Sequence, residues 1–268
     1  MKKSTFLAHI YDISLQENIS VDETMVLARS LGYDGIDANW HDVNHKAKLL
    51  KNQLFNSNLF LSSVYRFCDL CDGYNQDEMK NFFDTVSQLD CTKVMLIPGF
   101  FTEQTDRETQ INKIIEALNN ACELATKYDI TPTIEKYDYI FSPCGEDKYL
   151  SRILNGVPDL GFTFDTGNYI YFDEDVLEGF NKYKDRIRHV HIKDRSFSPY
   201  FDGEKPVSET ISGKLLYPTP SGHGIIPIKN CIDRLKSIDY NDYLCTEFFG
   251  AERMLDYLKL SSSITDGI

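Results

Sequence analysis

The sequence predicts a single (β/α)8 barrel, an α/β fold in which eight parallel strands alternate with helices. Its length of 268 residues suits one barrel, which typically needs about 250. Short apolar runs alternate with longer amphipathic stretches, the pattern of strand–helix units around a parallel sheet. Polar side chains end the later strands, where barrel enzymes place their chemistry. We therefore expect one TIM-barrel domain over residues 1–268.

The first half of the chain supplies four predicted strands and the helices between them. The first strand is Ser4–His9, and the next helix, Val21–Leu31, begins at Ser20, which has Glu23 at capping-box spacing. Gly32 ends that helix. The further strands of this half are Gly35–Asn39, Leu59–Val64 and Thr92–Pro98, and its further helices are Asp42–Asn56, Asp77–Gln88 and Asp106–Tyr128.

The second half continues the alternation with four more strands. These are Thr131–Glu135, Gly161–Asp165, Ile187–Lys193 and Asp242–Glu247, and a last helix near Ala251–Leu260 closes the ring. Residues 194–224 break the pattern, because this segment carries four prolines and is too long for an ordinary strand–helix connection. It is predicted to be an active-site loop or lid.

Alternation along the late strands predicts which side chains face the barrel interior. Every second residue points inward, and the last inward position lies at the rim that carries the chemistry. Glu135, Asp165 and Glu247 occupy that position, and His191 shares an inward face with Lys193. Three carboxylates and an imidazole at one rim favour one bound divalent cation. This oxygen-rich set favours Mn²⁺, with Mg²⁺, Co²⁺ or Zn²⁺ as alternatives.

Several other polar residues lie near predicted strand ends. His9 ends the first strand and contacts either substrate or the protein core, and Arg66, just past the third strand, binds a substrate phosphate or a carboxylate of the protein. His223 lies between two glycines and either reaches the site or is exposed. Lys193 either acts on substrate, in binding or acid–base catalysis, or pairs with a carboxylate. His189, one layer below His191, is predicted to make a buried structural hydrogen bond.

Composition excludes several classes of partner. Lys and Arg total 28 against 41 for Asp and Glu, a net charge of −13 that disfavours nucleic acid. No charged segment followed by an apolar run opens the chain, and no window approaches the roughly 20 apolar residues that span a bilayer. Seven scattered cysteines are typical of reduced thiols in a cytoplasmic protein. A cytoplasmic protein without a membrane partner is expected, and a homo-oligomer is allowed.

Six motifs resemble those of the xylose isomerase-like TIM-barrel family, the sugar phosphate isomerases and epimerases that include D-tagatose and D-psicose 3-epimerases. In chain order they are Leu31-Gly-Tyr-Asp-Gly-Ile-Asp37, Thr133-Ile-Glu135, Phe164-Asp-Thr-Gly-Asn168, His189-Val-His-Ile-Lys-Asp194, Gly222-His-Gly224 and Thr246-Glu247. The resemblance implies one divalent cation held by Glu135, Asp165, His191 and Glu247. It also implies that the two glutamates act as acid and base on opposite faces of a substrate carbon.

The chain departs from the 3-epimerase pattern in two places. Those enzymes have a second histidine three residues after the sixth-strand aspartate, where this chain has Asn168, a candidate substrate-binding residue. The arginine-containing stretch after the seventh-strand histidine is replaced by Lys193-Asp194-Arg195. The metal ligands are unaffected, but the substrate and the reaction stay open.

The expected function is a metal-dependent isomerase or epimerase of a sugar or sugar phosphate, acting through α-proton abstraction and an enediolate. A lyase that dehydrates a keto-inositol or dehydroshikimate-like compound is the alternative enzyme, and a non-catalytic sugar-binding barrel is a third hypothesis. The family also resembles abasic-site endonucleases, but six histidines and the net charge of −13 count against a DNA hydrolase. The expected partner is a small sugar or polyol.

Overall fold

The structure, a computed structural model, describes residues 1–71 and 73–265. Its strands are β1 Lys2–Phe6, β2 Gly35–Asn39, β3 Phe60–Phe67, β4 Lys93–Ile97, β5 Thr131–Glu135, β6 Gly161–Asp165, β7 Ile187–Ser196, β8 Ser208–Glu209, β9 Leu215–Thr219 and β10 Tyr243–Glu247. All strands except β8 and β9 pair in parallel with their neighbours in chain order, and β10 pairs with both β7 and β1. The eight-stranded parallel barrel is thereby closed, and the predicted fold is confirmed.

Helices cover the outside of the barrel. They are α1 Leu7–Glu17, α2 Val21–Ser30, α3 Trp40–Ser57, α4 Gln76–Ser87, α5 Arg107–Ala125, α6 Asp147–Gly156, α7 Val176–Tyr183, α8 Ile228–Ser237 and α9 Met254–Ser261. The predicted capping box begins α2: Ser20 Oγ accepts the Glu23 N–H at 3.2 Å, and Glu23 Oε2 accepts the Ser20 N–H at 2.8 Å. Gly32, at φ +84°, follows the helix in the left-handed conformation that glycine favours.

The predicted first strand is wrong at its C-terminal end. β1 stops at Phe6, and His9 lies inside α1 rather than at the end of a strand. Leu7, Ile10 and Ile13 are all buried and recur at helical spacing, so packing of this apolar face against the barrel overrides strand continuation.

The segment 194–224, predicted as a loop or lid, contains a short sheet of its own. β7 runs three residues beyond Lys193, and this extension pairs antiparallel with β9, which in turn pairs with β8. The Asp194 carboxylate fixes the far end of the segment by accepting backbone N–H groups of Gly222 at 3.0 Å, Gly224 at 2.9 Å and Ile226 at 3.2 Å. A Cβ at position 224 would lie 2.3 Å from this carboxylate, so only glycine fits.

The hydrophobic core lies between the strands and the helices, whereas the barrel interior is largely polar. Outward-facing strand residues form the core and are fully buried; they include Ile36, Val64, Ile134, Phe162, Phe164, Val190, Ile192 and Leu244. Inside the barrel, the hydroxyls of Thr133 and Thr163 bond each other at 2.7 Å. The inward positions of β5 and β6 therefore carry polar groups up to the rim.

Candidate active site

The four predicted metal ligands meet at the C-terminal rim of the barrel. Glu135, Asp165 and Glu247 are the last residues of β5, β6 and β10, and His191 lies on the inward face of β7. All four are buried, with exposed fractions of 8 % for Glu135, 0 % for Asp165, 1 % for His191 and 6 % for Glu247. Strand alternation thus places the side chains as the sequence predicts.

The distances within this group fit a divalent cation. His191 Nδ1 lies 3.2 Å from Glu135 Oε2 and 3.4 Å from Glu247 Oε2. Glu135, Asp165 and His191 each offer one ligand atom, and these three atoms lie within 4.8 Å of one another. Asp165 Oδ1 accepts two backbone N–H groups, but its buried Oδ2 accepts no hydrogen bond from the described residues. A buried carboxylate oxygen beside a second carboxylate and an imidazole suits a hard metal ion.

Lys193 reaches into the same group. Its ammonium lies 2.6 Å from Glu247 Oε1 and 3.3 Å from Asp165 Oδ2, and it donates to Asn168 Oδ1 at 2.7 Å. Asn168 in turn donates from Nδ2 to the backbone carbonyl of Lys136. Lys193 therefore both lies in the site and pairs with its carboxylates, and Asn168 contacts the site through Lys193.

Asp37, which the sequence analysis gave no role, supports the histidine of the site. Its Oδ2 lies 2.7 Å from His189 Nε2 and 3.4 Å from His191 Nε2, and its Oδ1 accepts the hydroxyl of Ser62. The buried hydrogen bond predicted for His189 is thus made to Asp37. Because Asp37 engages Nε2 of His191, the ring presents Nδ1 to the glutamates. The available signal was the inward position of Asp37 on the second predicted strand.

The surroundings shift the pKa values of the two glutamates in opposite directions. Burial raises the pKa of Glu135, although the contact with His191 opposes the rise. Burial also opposes the charge of Glu247, but the ammonium of Lys193 and the ring of His191 hold the pKa of Glu247 well below its usual range. Two carboxyl groups in one site with opposed pKa shifts are typical of an acid–base pair.

The buried aspartate and the cations of the site are also perturbed. Burial raises the pKa of Asp165 to about 8 despite the nearby Lys193. For His191, hydrogen bonds to Asp37, Glu135 and Glu247 outweigh burial and hold the pKa well above its usual value. Because these charged groups are buried together, each carboxylate needs a cation beside it to stay ionised.

A cavity of about 610 Å³ opens above these residues. Side chains of β1–β4 form one wall, with Phe6, Asn39, Tyr65, Phe67, Met95 and Ile97. The opposite wall follows β5, β7 and β10 and carries Glu135, Tyr137, Asp138, His191, Lys193, Arg195 and Glu247. Val207 and Ser208, in the segment 194–224, also line it. The volume is in the range of small-molecule sites.

Three residues proposed to contact substrate lie away from this cavity wall. His9 is fully buried against Phe248, whose N–H it accepts at 3.1 Å, and burial lowers its pKa to about 3. Arg66 lies within β3, not after it, so alternation turns it to the helix side, where it donates to Glu78 at 2.6 Å. His223 is exposed near the far end of the segment 194–224. None of the three lines the cavity among the described residues, and neither does Asn168, which is buried and contacts the site through Lys193.

The chain belongs to the xylose isomerase-like TIM-barrel family, whose model matches residues 25–262. This match confirms the family that the sequence motifs resemble. Among the described residues, the helices are too short or too polar to cross a membrane.

Curated relatives match only part of the chain. An uncharacterized protein from Methanocaldococcus jannaschii is 28 % identical over 123 residues, which are 45 % of this chain and 47 % of that protein. An inosose dehydratase from Lacticaseibacillus casei is 32 % identical over 92 residues, which are 34 % of this chain and 31 % of the enzyme. The chain thus matches less than half the length of either relative.

Solved structures match almost the whole chain. The probable 3-DHS dehydratase AsbF from Bacillus anthracis, involved in petrobactin synthesis, has a TM-score of 0.74 at 16 % identity, covering 98 % of both chains. The IolI protein with a bound zinc atom has a TM-score of 0.72 at 16 % identity, covering 99 % of this chain and 96 % of that one. A D-psicose 3-epimerase has a TM-score of 0.69 at 12 % identity, covering 98 % and 96 %. These similarities show a shared fold.

Proposed function

We propose that this protein is a metal-dependent isomerase or epimerase of a sugar or sugar phosphate that moves a proton next to a carbonyl group. The observation that carries the proposal is the pair of buried glutamates at the cavity floor. Glu135 and Glu247 both lie within 3.4 Å of His191 Nδ1, and their pKa values are shifted in opposite directions. One carboxyl group is thereby suited to take up a proton while the other stays ionised.

Glu135, Asp165, His191 and Glu247 would hold the divalent cation, with Mn²⁺ as the first choice. The buried Asp165 Oδ2, which accepts no hydrogen bond from the described residues, supports this assignment. So does the group of Glu135, Asp165 and His191, whose two carboxylate oxygens and one imidazole nitrogen lie within 4.8 Å of one another. When bound, the cation polarises the substrate carbonyl and stabilises the negative charge left when the α-proton departs.

The chain's own residues supply the proton transfers. Glu135 is buried at the cavity wall beside His191, so its carboxylate is placed to accept the α-proton of a bound substrate. Glu247 faces the same cavity and lies 2.6 Å from the Lys193 ammonium, so this ion pair supplies the second proton-transfer group at the cavity floor. The apolar wall of β1–β4 covers the other side of the cavity and limits water there.

Solvent deuterium exchange tests the proposal. Mn²⁺-loaded protein is incubated in D2O with a panel of ketoses, aldoses and their phosphates, and incorporation at the α-carbon is followed by proton NMR. We expect metal-dependent exchange with at least one sugar. Absence of exchange across the panel, in protein shown to hold stoichiometric metal, contradicts the proposal.

The Asp165→Asn variant is the matched control for the metal. It keeps the size of a side chain that is fully buried and removes the charge of the oxygen assigned to the cation. We expect loss of bound metal by elemental analysis, with the circular dichroism spectrum retained. A metal-free, sugar-binding wild-type protein would instead favour the non-catalytic barrel.

A dehydratase is the second candidate, favoured by the 92-residue match to inosose dehydratases. The Lys193 ammonium, 2.6 Å from Glu247, can protonate a departing hydroxyl group after the α-proton has been removed. This reaction produces a conjugated carbonyl with ultraviolet absorbance. A rise in absorbance without epimer formation, on keto-inositols or related cyclic ketones, would decide for the dehydratase.

A further inference from the structure

Arg195 is a buried cation with an unsatisfied donor on the cavity wall. It follows His191 and Lys193 on the inward face of β7 and is only 4 % exposed. It lines the cavity, yet its buried Nη1 donates to no acceptor in the described residues. Since an unpaired buried donor is costly, such a group indicates an acceptor that is not part of the described chain.

The charges around Arg195 indicate what kind of acceptor fits. Its ion-pair partner is Asp138, whose Oδ2 lies 3.8 Å from Arg195 Nη2, beyond hydrogen-bond distance. The same oxygen lies 3.8 Å from Lys193 Nζ. One carboxylate is therefore shared by two cations. The other carboxylates near Lys193 are Asp165 and Glu247, which the proposed function assigns to the metal.

We propose that Arg195 anchors an anionic oxygen group of the substrate, a carboxylate or a phosphate. The substrate is then a sugar acid or a sugar phosphate rather than a neutral sugar. An oxyanion in the cavity accepts from the guanidinium and neutralises a cation whose carboxylate neighbour, Asp138, lies 3.8 Å away and is shared with Lys193. The planar guanidinium matches either group. This inference rests on the proposed function, because it assigns a substrate class to the same cavity.

Binding calorimetry on the Mn²⁺-loaded protein provides the test. The probes form two sets, each with a neutral sugar and its anionic counterparts. The first set is D-glucose, D-glucuronate and D-glucose 6-phosphate, and the second is D-fructose and D-fructose 6-phosphate. We expect one type of anion to bind about tenfold or more tightly than its neutral counterpart, as for a hydrogen bond to a charged group. Which anion is preferred distinguishes carboxylate from phosphate.

Three variants separate the subsite from general damage to the protein. Arg195→Gln should remove the preference for the anion, and Arg195→Lys should keep part of it. Asp138→Asn should increase affinity for the anion, because it removes the competing carboxylate, and misfolding cannot produce that gain. Equal affinity for neutral and anionic ligands, or a preference unchanged in Arg195→Gln, overturns the inference.

The exchange experiment keeps this inference separate from the proposed function. If the anion preference depends on Arg195 but no α-proton exchange occurs, the proposed reaction is contradicted and the subsite is supported. Exchange from an anionic sugar at an undiminished rate and undiminished affinity in Arg195→Gln supports the reaction and contradicts the subsite.

Discussion

The two halves of the barrel differ at the rim that forms the cavity. The half built from β1–β4 presents Phe6, Asn39, Tyr65, Phe67, Met95 and Ile97, whereas the other half presents most of the ionisable groups. Charged groups interact more strongly beside an apolar wall than in water, because that wall lowers the local dielectric constant. Under the proposed function, the charged half performs the chemistry and the other half packs against the substrate.

Two buried histidines, one in each half of the barrel, also differ in their surroundings. His191, on β7, is surrounded by carboxylates that hold its pKa well above the usual value. His9, in α1, stacks on the Phe248 ring at 4.0 Å, and burial lowers its pKa to about 3. Both are buried, so the neighbouring groups, not burial alone, set the direction in which each pKa is shifted.

The largest expected effect is in the charged half. Glu135→Gln keeps the shape of the side chain but removes the proton acceptor. We expect kcat for α-proton exchange to fall about 100-fold to 10,000-fold, the usual contribution of a general base. Exchange is measured by NMR at saturating sugar with metal content determined in parallel. A fall of less than tenfold with metal retained would give the base role to another residue.

Beneath the site, Asp37→Asn weakens the support of His191. We expect metal affinity to fall about tenfold to 100-fold, because the carboxylate that orients the ring proposed to ligate the metal is lost. Metal titration by calorimetry measures the change. Ser62→Ala is the control, since it removes a hydroxyl donor to Asp37 but leaves the carboxylate, and its effect should be smaller. Equal affinities in Asp37→Asn and wild type would contradict the positioning role.

His9→Gln tests the contrast between the two histidines through stability. The pKa of His9 is about 3 in the folded state against 6.5 for an ordinary histidine, so the unfolded chain binds the proton first. His9 contributes stability that is fully present above pH 6.5 and is lost towards pH 3, with a slope of about 1.4 kcal/mol per pH unit. Glutamine can still accept the Phe248 N–H but does not titrate.

Urea unfolding of wild type and His9→Gln at pH 7, 6 and 5 measures this slope. The free energy of unfolding should fall less steeply in the variant. Parallel curves would mean that His9 takes up a proton as readily in the folded protein as in the unfolded chain, which would contradict its lowered pKa.

The smallest effect is expected in the apolar half. Phe67 lines the cavity and is 50 % exposed. Phe67→Ala should raise KM about threefold to tenfold, the worth of one aromatic contact, with kcat within about twofold. Steady-state kinetics measures both. Phe55→Ala is the control, because Phe55 lies on α3 and is 85 % exposed. A large fall in kcat for Phe67→Ala would give the apolar wall a chemical role.

The sequence by itself determined the barrel and the four residues at its rim. Parallel strands with alternating faces end at the same edge, so Glu135, Asp165, His191 and Glu247 could be placed together without coordinates. Their ligation of a metal stays a prediction. Motif order also indicated the family, which the family match confirms.

Only the tertiary structure decided where strands end and which distant residues touch. His9 and Arg66 were misplaced because the packing of α1 and the length of β3 depend on neighbouring elements. Asp37 meets His191 across 154 positions of the chain, and no local pattern encodes that contact. The divided cavity has the same origin, since its two walls come from strands far apart in sequence that only barrel closure brings face to face.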